Sequence, residues 1–95
     1  MAAYALVDVE ITDSAGFAEY WKLVPASIAE FGGRFLVRGG AMEVLEGDWK
    51  PKRLVVLEFP DLAVLKAWYH SPGYQQLLAL RKRAASSNFV IVEGV

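Results

Sequence analysis

Hydrophobic and polar residues alternate along the first stretch of the chain, from Ala2 to Ile11. One side of this stretch carries Ala5, Val7, Val9 and Ile11, and the other side carries Tyr4, Leu6, Asp8 and Glu10. A period of two is typical of a strand with one face in the core. The pattern therefore predicts a first strand over residues 2–11.

The period then changes to that of a helix. Apolar residues recur at spacings of three and four, at Phe17, Tyr20, Trp21, Val24, Ile28 and Phe31. Asp13 is suited to cap the start of this helix, and the glycines at 32 and 33 are suited to end it. Pro25 removes the backbone donor to the Trp21 carbonyl, so we expect the helix to kink or widen as it curves around a sheet.

The middle of the chain reads as a hairpin. Residues 34–38 predict a short second strand, Gly39 and Gly40 predict a bulge, and residues 42–45 predict that the strand resumes beyond it. A turn-rich connection follows at 46–51. The β-branched run from Arg53 to Phe59 predicts a third strand.

The last third of the chain predicts a broken helix and a final strand. Pro60 and Asp61 mark a helix start, with apolar positions at Leu62, Leu65, Trp68 and Tyr69. Ser71 followed by Pro72 is an N-cap with proline at the first helical position, so the helix restarts there. The second segment carries Tyr74, Leu77, Leu78 and Ala84, and residues 88–93 predict the fourth strand.

This βαββαβ order predicts one α+β domain over residues 1–95 of the ferredoxin-like type, a four-stranded antiparallel sheet with both helices on one face. The opposite face is then bare, although the third and fourth strands are apolar on both sides. A solvated sheet face alternates with polar residues. We therefore expect a homodimer in which two open sheet faces pack together and bury roughly 1,500 Å² or more.

Composition narrows the classes of function. Ten Lys and Arg against eleven Asp and Glu give a formal charge of −1, which offers no footprint for nucleic acid or an anionic membrane. No apolar run approaches the ~20 residues that cross a bilayer, and no leader precedes the first strand, so a cytoplasmic location is expected. Zero cysteines and a single histidine argue against disulfides and metal sites, and no dinucleotide or phosphate motif indicates a cofactor.

Two groups of residues are candidates for chemistry. If the first three strands keep their alternation, Asp8, Glu58 and Arg38 share the open face, where a guanidinium could bind an anionic oxygen and a sheltered carboxylate could act as acid or base. The alternative is an ion-pair network between subunits with no ligand. The second group is aromatic and hydroxyl-bearing: Tyr20, Trp21, Trp68, Tyr69, Ser71 and Tyr74. Its alternative is ordinary core packing, with Ser71 as a helix cap.

Three further features have a structural and a functional interpretation. His70 is either a solvent-facing helix end or a proton carrier. The run at 81–83 is typical of a solvated helix end. Trp49, in a polar turn, is expected to be a dimer contact or a lid.

Several separate motifs resemble the bacterial domain of unknown function family 1330. They are EFGGRFLVRGG at 30–40, LEGDW at 45–49, LEFP at 57–60 and AWYHSPGY at 67–74. The resemblance implies the dimeric α+β barrel superfamily, whose members include cofactor-free monooxygenases, lactone isomerases and haem proteins; no haem-ligand motif is present. It also implies a set of characteristic polar and aromatic positions: Tyr20, Arg38, Glu46, Trp68, Ser71, Tyr74 and Arg81. At position 70 the family pattern implies Glu or another polar residue rather than histidine.

The leading hypothesis is a homodimer that binds a compact organic substrate between sheet and helices and acts without a cofactor, as an isomerase or monooxygenase does in related proteins. Arg38 would orient an anionic oxygen, and Glu46, Asp8 or Glu58 would be the acid or base. The pocket would be shaped by Tyr20, Trp68, Ser71, Tyr74 and Arg81. The alternatives are a non-catalytic dimerisation or interaction module, in which Arg38 fixes the register, and a ligand sensor without turnover.

Overall fold

The computed structural model describes residues 1–95 and has the predicted order of elements. The strands and helices are β1 Ala3–Ile11, α1 Ser14–Glu30, β2 Arg34–Arg38, β3 Leu54–Phe59, α2 Leu62–His70, α3 Pro72–Ala84 and β4 Ala85–Glu93. The sheet has the order β2-β3-β1-β4, and every neighbouring pair is antiparallel. The ferredoxin-like prediction is confirmed.

The core lies between the helices and one face of the sheet. Alternate residues of β1 are buried, at Ala3, Ala5, Val7 and Val9, as the period of two predicts. The apolar stripe of α1 faces them with Phe17, Tyr20, Val24 and Ile28. Ile11, on the same side of β1, is 38% exposed, and Trp21 and Phe31 are half-buried, so the prediction is confirmed for the other positions of both elements.

Side chains cap each helix at its first turn. Asp13 accepts a hydrogen bond from the Gly16 amide (3.2 Å) and Asp61 accepts one from the Val64 amide (2.8 Å). The Ser71 Oγ accepts one from the Tyr74 amide (3.2 Å), so α2 ends and α3 begins at the predicted break. Helix α1 runs from Ser14 to Glu30 through Pro25.

The second strand differs from the prediction in two ways. The bulge lies between Phe35 and Val37 rather than at the glycine pair, and the strand ends at Arg38. Residues 42–45 are not a strand but part of a long loop. Gly39 has a φ of 73°, and its amide donates to the Leu54 carbonyl (3.0 Å), so the chain leaves the sheet at that point.

The fourth strand begins at Ala85, three residues before the predicted start. Ala85, Ser86 and Ser87 pair with the last three residues of β1, which extends the ladder beyond the apolar run. Pairing along β1, rather than side-chain character, sets this boundary.

The face of the sheet away from the helices is open and mostly apolar. Val90 is 59% exposed and Val92 is 49% exposed, although both belong to a regular strand. Leu6, Leu54 and Val56 lie between them and the other edge of the sheet and are half-buried. No helix is long and apolar enough to cross a lipid bilayer.

Candidate functional site

A small cavity lies between the sheet and the helices. Its volume is about 20 Å³, which is room for one water molecule. Twelve of its thirteen lining residues are hydrophobic, Tyr20, Trp21, Trp68 and Phe89 among them, and the exception is Arg81. A charged group therefore faces an otherwise apolar space.

Arg81 is buried without a counter-ion. It projects from the last turn of α3, is 5% exposed, and its Nε donor has no hydrogen-bond partner. The chain's one ion pair joins Arg34 to Glu58 instead (2.8 Å). Burying an unpaired guanidinium is costly, so this position is a candidate for binding an anion. The sequence-based expectation of a solvated run at 81–83 is wrong for Arg81, while Lys82 and Arg83 are exposed as expected.

Two phenols lie beside Arg81. The hydroxyl groups of Tyr20 and Tyr74 share a hydrogen bond of 3.0 Å in the core. Burial raises the pKa of both phenols, and the positive charge of Arg81 opposes that rise. Both hydroxyls are therefore neutral at physiological pH, suited to donate hydrogen bonds and unsuited to act as bases.

Trp68 forms the inner wall of the cavity. Its ring is fully buried, 4.1 Å from the Tyr74 ring centroid, and its Nε1 donates to the Ser27 Oγ (3.0 Å). Ser71 fixes the backbone on either side of this wall. Its Oγ donates to the Trp68 carbonyl (2.7 Å) and accepts from the Tyr74 amide. The Ser71 hydroxyl is occupied by the backbone at the α2–α3 break and does not line the cavity.

Arg38 lies on the helix side of the sheet, not on the open face. The unpaired bulge residue Leu36 shifts the alternation, so Arg38 pairs with Val55, whose side chain is in the core. Its guanidinium carbon is 4.4 Å from the Trp21 ring centroid, and its Nη2 donates to the Trp21 carbonyl (3.2 Å). Arg53 stacks on the same ring at 4.9 Å, so two cations flank the Trp21 end of the cavity.

The predicted cluster of Asp8, Glu58 and Arg38 is not formed. Asp8 and Glu58 do share the open face, but they lie four positions apart in the register, roughly 13 Å along the strands. Asp8 accepts from the Trp49 Nε1 (3.1 Å) and from the Lys52 amide (2.9 Å), and so fastens the β2–β3 loop to the sheet.

Glu46 also lies apart from the other predicted catalytic residues. It is exposed in the β2–β3 loop and lines a surface concavity formed mostly by that loop. Within the chain, Arg38, Glu46, Asp8 and Glu58 therefore occupy separate places.

A surface groove lies on the other side of Phe89. It has a volume of about 380 Å³ and runs between α2 and the edge strand β4. The groove is lined by Leu65, Lys66, Tyr69, His70, Phe89 and Ile91. Phe89 thus lines both the groove and the cavity that contains Arg81.

Sequence reasoning missed Phe89 and Arg53 as site residues, whereas Trp21 was in the predicted aromatic group. Phe89 was one apolar residue among several in the last strand, and only its contacts with Tyr69 (5.3 Å between ring centroids) and Arg81 distinguish it. The described side chains form no group of three His, Asp or Glu residues that could hold a metal ion.

Comparison with known proteins places the chain in a family. The model of the family described as domain of unknown function 1330 (DUF1330) matches residues 2–95. The chain belongs to this family. No curated protein matches the chain.

Solved structures share the fold of this DUF1330 protein at low sequence identity. RPA0582, a protein of unknown function from Rhodopseudomonas palustris, has a TM-score of 0.78 and 18% identity over 99% of this chain and 82% of its own. A dimeric ferredoxin-like protein of unknown function from Jannaschia sp. CCS1 has a TM-score of 0.67 and 18% identity over 100% and 99%. SnoaB, a cofactor-independent oxygenase from Streptomyces nogalater, has a TM-score of 0.65 and 12% identity over 99% and 93%. These likenesses establish the fold.

Proposed function

We propose that this DUF1330 protein is a homodimer that binds a small organic molecule between its helices and sheet and acts on it without a bound cofactor. The observation that carries the proposal is the apolar cavity into which the unpaired Arg81 faces. A fold that needed only to pack would be more stable with an apolar residue there. Residues that lower the stability of a fold are often retained because they are needed for function.

The residues around the cavity suit chemistry on an anionic intermediate. Arg81 supplies a cation in a low-dielectric space, where it would stabilise an enolate, phenolate or carboxylate oxygen more strongly than in water. The neutral Tyr20 and Tyr74 hydroxyls would add hydrogen bonding to that oxygen. SnoaB, described as a cofactor-independent oxygenase, supports oxygenation of such an anion by O₂, and isomerisation is the second reaction open to the same intermediate.

In this proposal the other predicted catalytic residues have different roles. Arg38 orients a ligand from the Trp21 end of the cavity, where it already contacts the ring and carbonyl of Trp21. Asp8 and Glu58 serve the open face, because each is bonded to the loop or to β2. Glu46 lies in the exposed β2–β3 loop and has no role in the proposed reaction.

The open face of the sheet supports the proposed homodimer. Val90, Val92, Leu6 and Val56 form an apolar surface that no element of this chain covers. Exposed apolar surfaces of this extent typically mark an interface. A second copy supplies a complementary face by symmetry, and the Jannaschia relative of the same fold is described as dimeric.

A second candidate function is a dimerisation module with no substrate. The observation in its favour is the small size of the cavity, which holds about one water and no organic ligand unless side chains move. The two candidates differ in whether any small molecule reaches Trp68.

Fluorescence of the cavity tryptophans tests the proposal. The chain has three tryptophans, and Trp49→Phe leaves only Trp21 and Trp68, which both line the cavity. In this variant we expect small phenols, lactones or aromatic acids to change the emission saturably, and an accepted substrate of the oxygenase type to consume O₂. The matched control is the same titration of Trp21→Phe/Trp68→Phe, in which only the loop Trp49 emits. If none of these compounds changes the emission or is turned over, the result contradicts the proposal and favours the dimerisation module.

A further inference from the structure

We propose that the groove between α2 and β4 binds the planar apolar body of an aromatic carboxylate, and that Phe89 is the gate through which the carboxylate reaches Arg81. This inference rests on the proposed function and names its ligand class and route. The cavity and the groove are then two parts of one site.

The volumes of the two spaces favour such a division. The cavity holds about 20 Å³, too little for any organic group to occupy in full, whereas the groove holds about 380 Å³. Sites for small molecules are typically about 300–1,000 Å³. The body of a ligand therefore fits the groove, and its anionic end reaches Arg81 once side chains of the cavity move.

Phe89 is the side chain that lines both spaces. Its ring lies 5.4 Å from the guanidinium carbon of Arg81 and 6.5 Å from the Trp68 ring centroid on the cavity side. On the groove side it lies 5.3 Å from the Tyr69 ring centroid. β4 is an edge strand and Phe89 is only half-buried, so its ring has a free side toward which it can rotate. A change of its side-chain rotamer would join the two spaces.

The charges along this route have one sign. Lys66 lines the groove, Arg81 lines the cavity, and no Asp or Glu lines either space. The Nε of Arg81 is a buried donor without a partner, as is the Nε of Arg53 at the Trp21 end. A carboxylate matches a guanidinium in geometry and charge and would remove the cost of that unpaired donor.

The remaining walls of the groove select the body of the ligand. Leu65 and Ile91 are aliphatic, and Tyr69 presents an aromatic ring. A flat apolar ring packs on such a surface and stacks on Tyr69. An aromatic carboxylate satisfies both parts of the site, whereas inorganic anions satisfy only the charge.

Comparison of benzoate with benzamide tests the ligand class. The two compounds have the same shape and differ in charge. In the Trp49→Phe protein we expect benzoate to bind about tenfold or more tightly than benzamide, as a charge-assisted hydrogen bond would produce. Arg81→Met should abolish this preference, Arg81→Lys should retain part of it, and Arg83→Met, an exposed arginine of the same helix, should leave it unchanged.

Acrylamide quenching tests the gate. In Trp21→Phe/Trp49→Phe, emission comes only from Trp68, which is fully buried. Phe89→Ala should raise the quenching constant of Trp68 several-fold. The control is Phe35→Ala, which removes a ring from the other end of the cavity. A larger effect of Phe35→Ala than of Phe89→Ala would overturn the gate.

The outcomes separate this inference from the proposed function. If neutral aromatic compounds bind as tightly as benzoate, or if the preference for benzoate survives in Arg81→Met, the ligand class is wrong while small-molecule binding stands. If no compound of either charge binds, both proposals fail together. Circular dichroism of each variant confirms that a lost preference does not reflect unfolding.

Discussion

At the scale of single residues, the side chains that define the site are those whose burial conflicts with their chemistry. Arg81 is 5% exposed without an anion, and Tyr20 and Tyr74 bury hydroxyls that share a hydrogen bond. Such groups lower the stability of a core relative to apolar residues of similar size. Their presence has measurable consequences for folding, apart from any ligand.

Arg81→Met should stabilise the protein. Methionine fills a similar volume and removes a buried charge that has no counter-ion, so we expect the free energy of unfolding to rise by about 1–3 kcal/mol in urea titrations. Arg83→Met, at an exposed position of the same helix, should change it by less than ~0.5 kcal/mol. A loss of stability in Arg81→Met alone would show that the guanidinium is satisfied within the fold.

The tyrosine pair should make stability fall at high pH. In the folded protein, burial raises the pKa of both phenols above the value of 10.0 that they have when exposed. Above pH 10 the unfolded chain releases these protons and the folded chain keeps them, so stability is fully present below pH 10 and declines above it. The decline should approach 1.4 kcal/mol per pH unit for each phenol.

Tyr20→Phe is the variant that checks this decline. Urea titrations between pH 9 and pH 11 should show a shallower loss of stability in Tyr20→Phe than in the unmodified protein, and titrations at pH 7 provide the reference for each. Equal slopes for the two proteins would contradict the assignment of the decline to this pair.

At the scale of the elements, the break between α2 and α3 positions the inner wall of the cavity. Ser71 ends one helix and caps the next. Both of its side-chain hydrogen bonds are to the backbone of Trp68 and Tyr74, whose rings pack against each other. The break therefore sets the relative position of the two aromatic rings. The hydroxyl of Ser71 thus has a structural role, while substrate binding by Ser71 stays a prediction.

Ser71→Ala should destabilise the protein without a direct effect on binding. Loss of the cap should cost about 1 kcal/mol, which corresponds to roughly 4–8 °C in the midpoint of thermal unfolding for a domain of this size. Ser14→Ala, at the exposed first residue of α1, is the control for removing a hydroxyl near a helix start. Affinity for benzoate, corrected for the folded fraction, should be unchanged, and a large loss of affinity at full folding would restore Ser71 to the binding site.

At the scale of the whole molecule, the helices cover one face of the sheet and leave the other uncovered. The open face carries the apolar side chains of β4 and the centre of the sheet, together with the Arg34–Glu58 ion pair and the Asp8 attachment of the loop. Charged groups at the margins of an apolar surface are typical of protein interfaces. The proposed dimer buries this surface.

Val90→Lys should prevent the dimer from forming. A charge placed on the exposed apolar part of β4 would be desolvated in a sheet-to-sheet interface, so sedimentation equilibrium should show a monomer. The thermal midpoint should then no longer depend on protein concentration. Ala79→Lys, on the exposed side of α3, should remain dimeric; if Val90→Lys is dimeric as well, the interface lies elsewhere.

The sequence by itself determined the elements and their order, because helix and strand periods, caps and glycine stops act over a few neighbouring residues. Asp13, Asp61 and Ser71 were identified as caps in this way, and the alternation of β1 assigned its buried face. The DUF1330 motifs added Arg81 as a candidate for the pocket.

Only the tertiary structure decided which of these residues meet. One unpaired residue at Leu36 moved Arg38 to the helix side of the sheet, and no local pattern marks that shift, since it depends on pairing with β3. The burial of Arg81 and the position of Phe89 between two spaces depend on the packing of α3, α2 and β4 against one another. Contacts between residues distant in sequence decide burial and cavities, whereas periodicity records only the face of an element on which each residue lies.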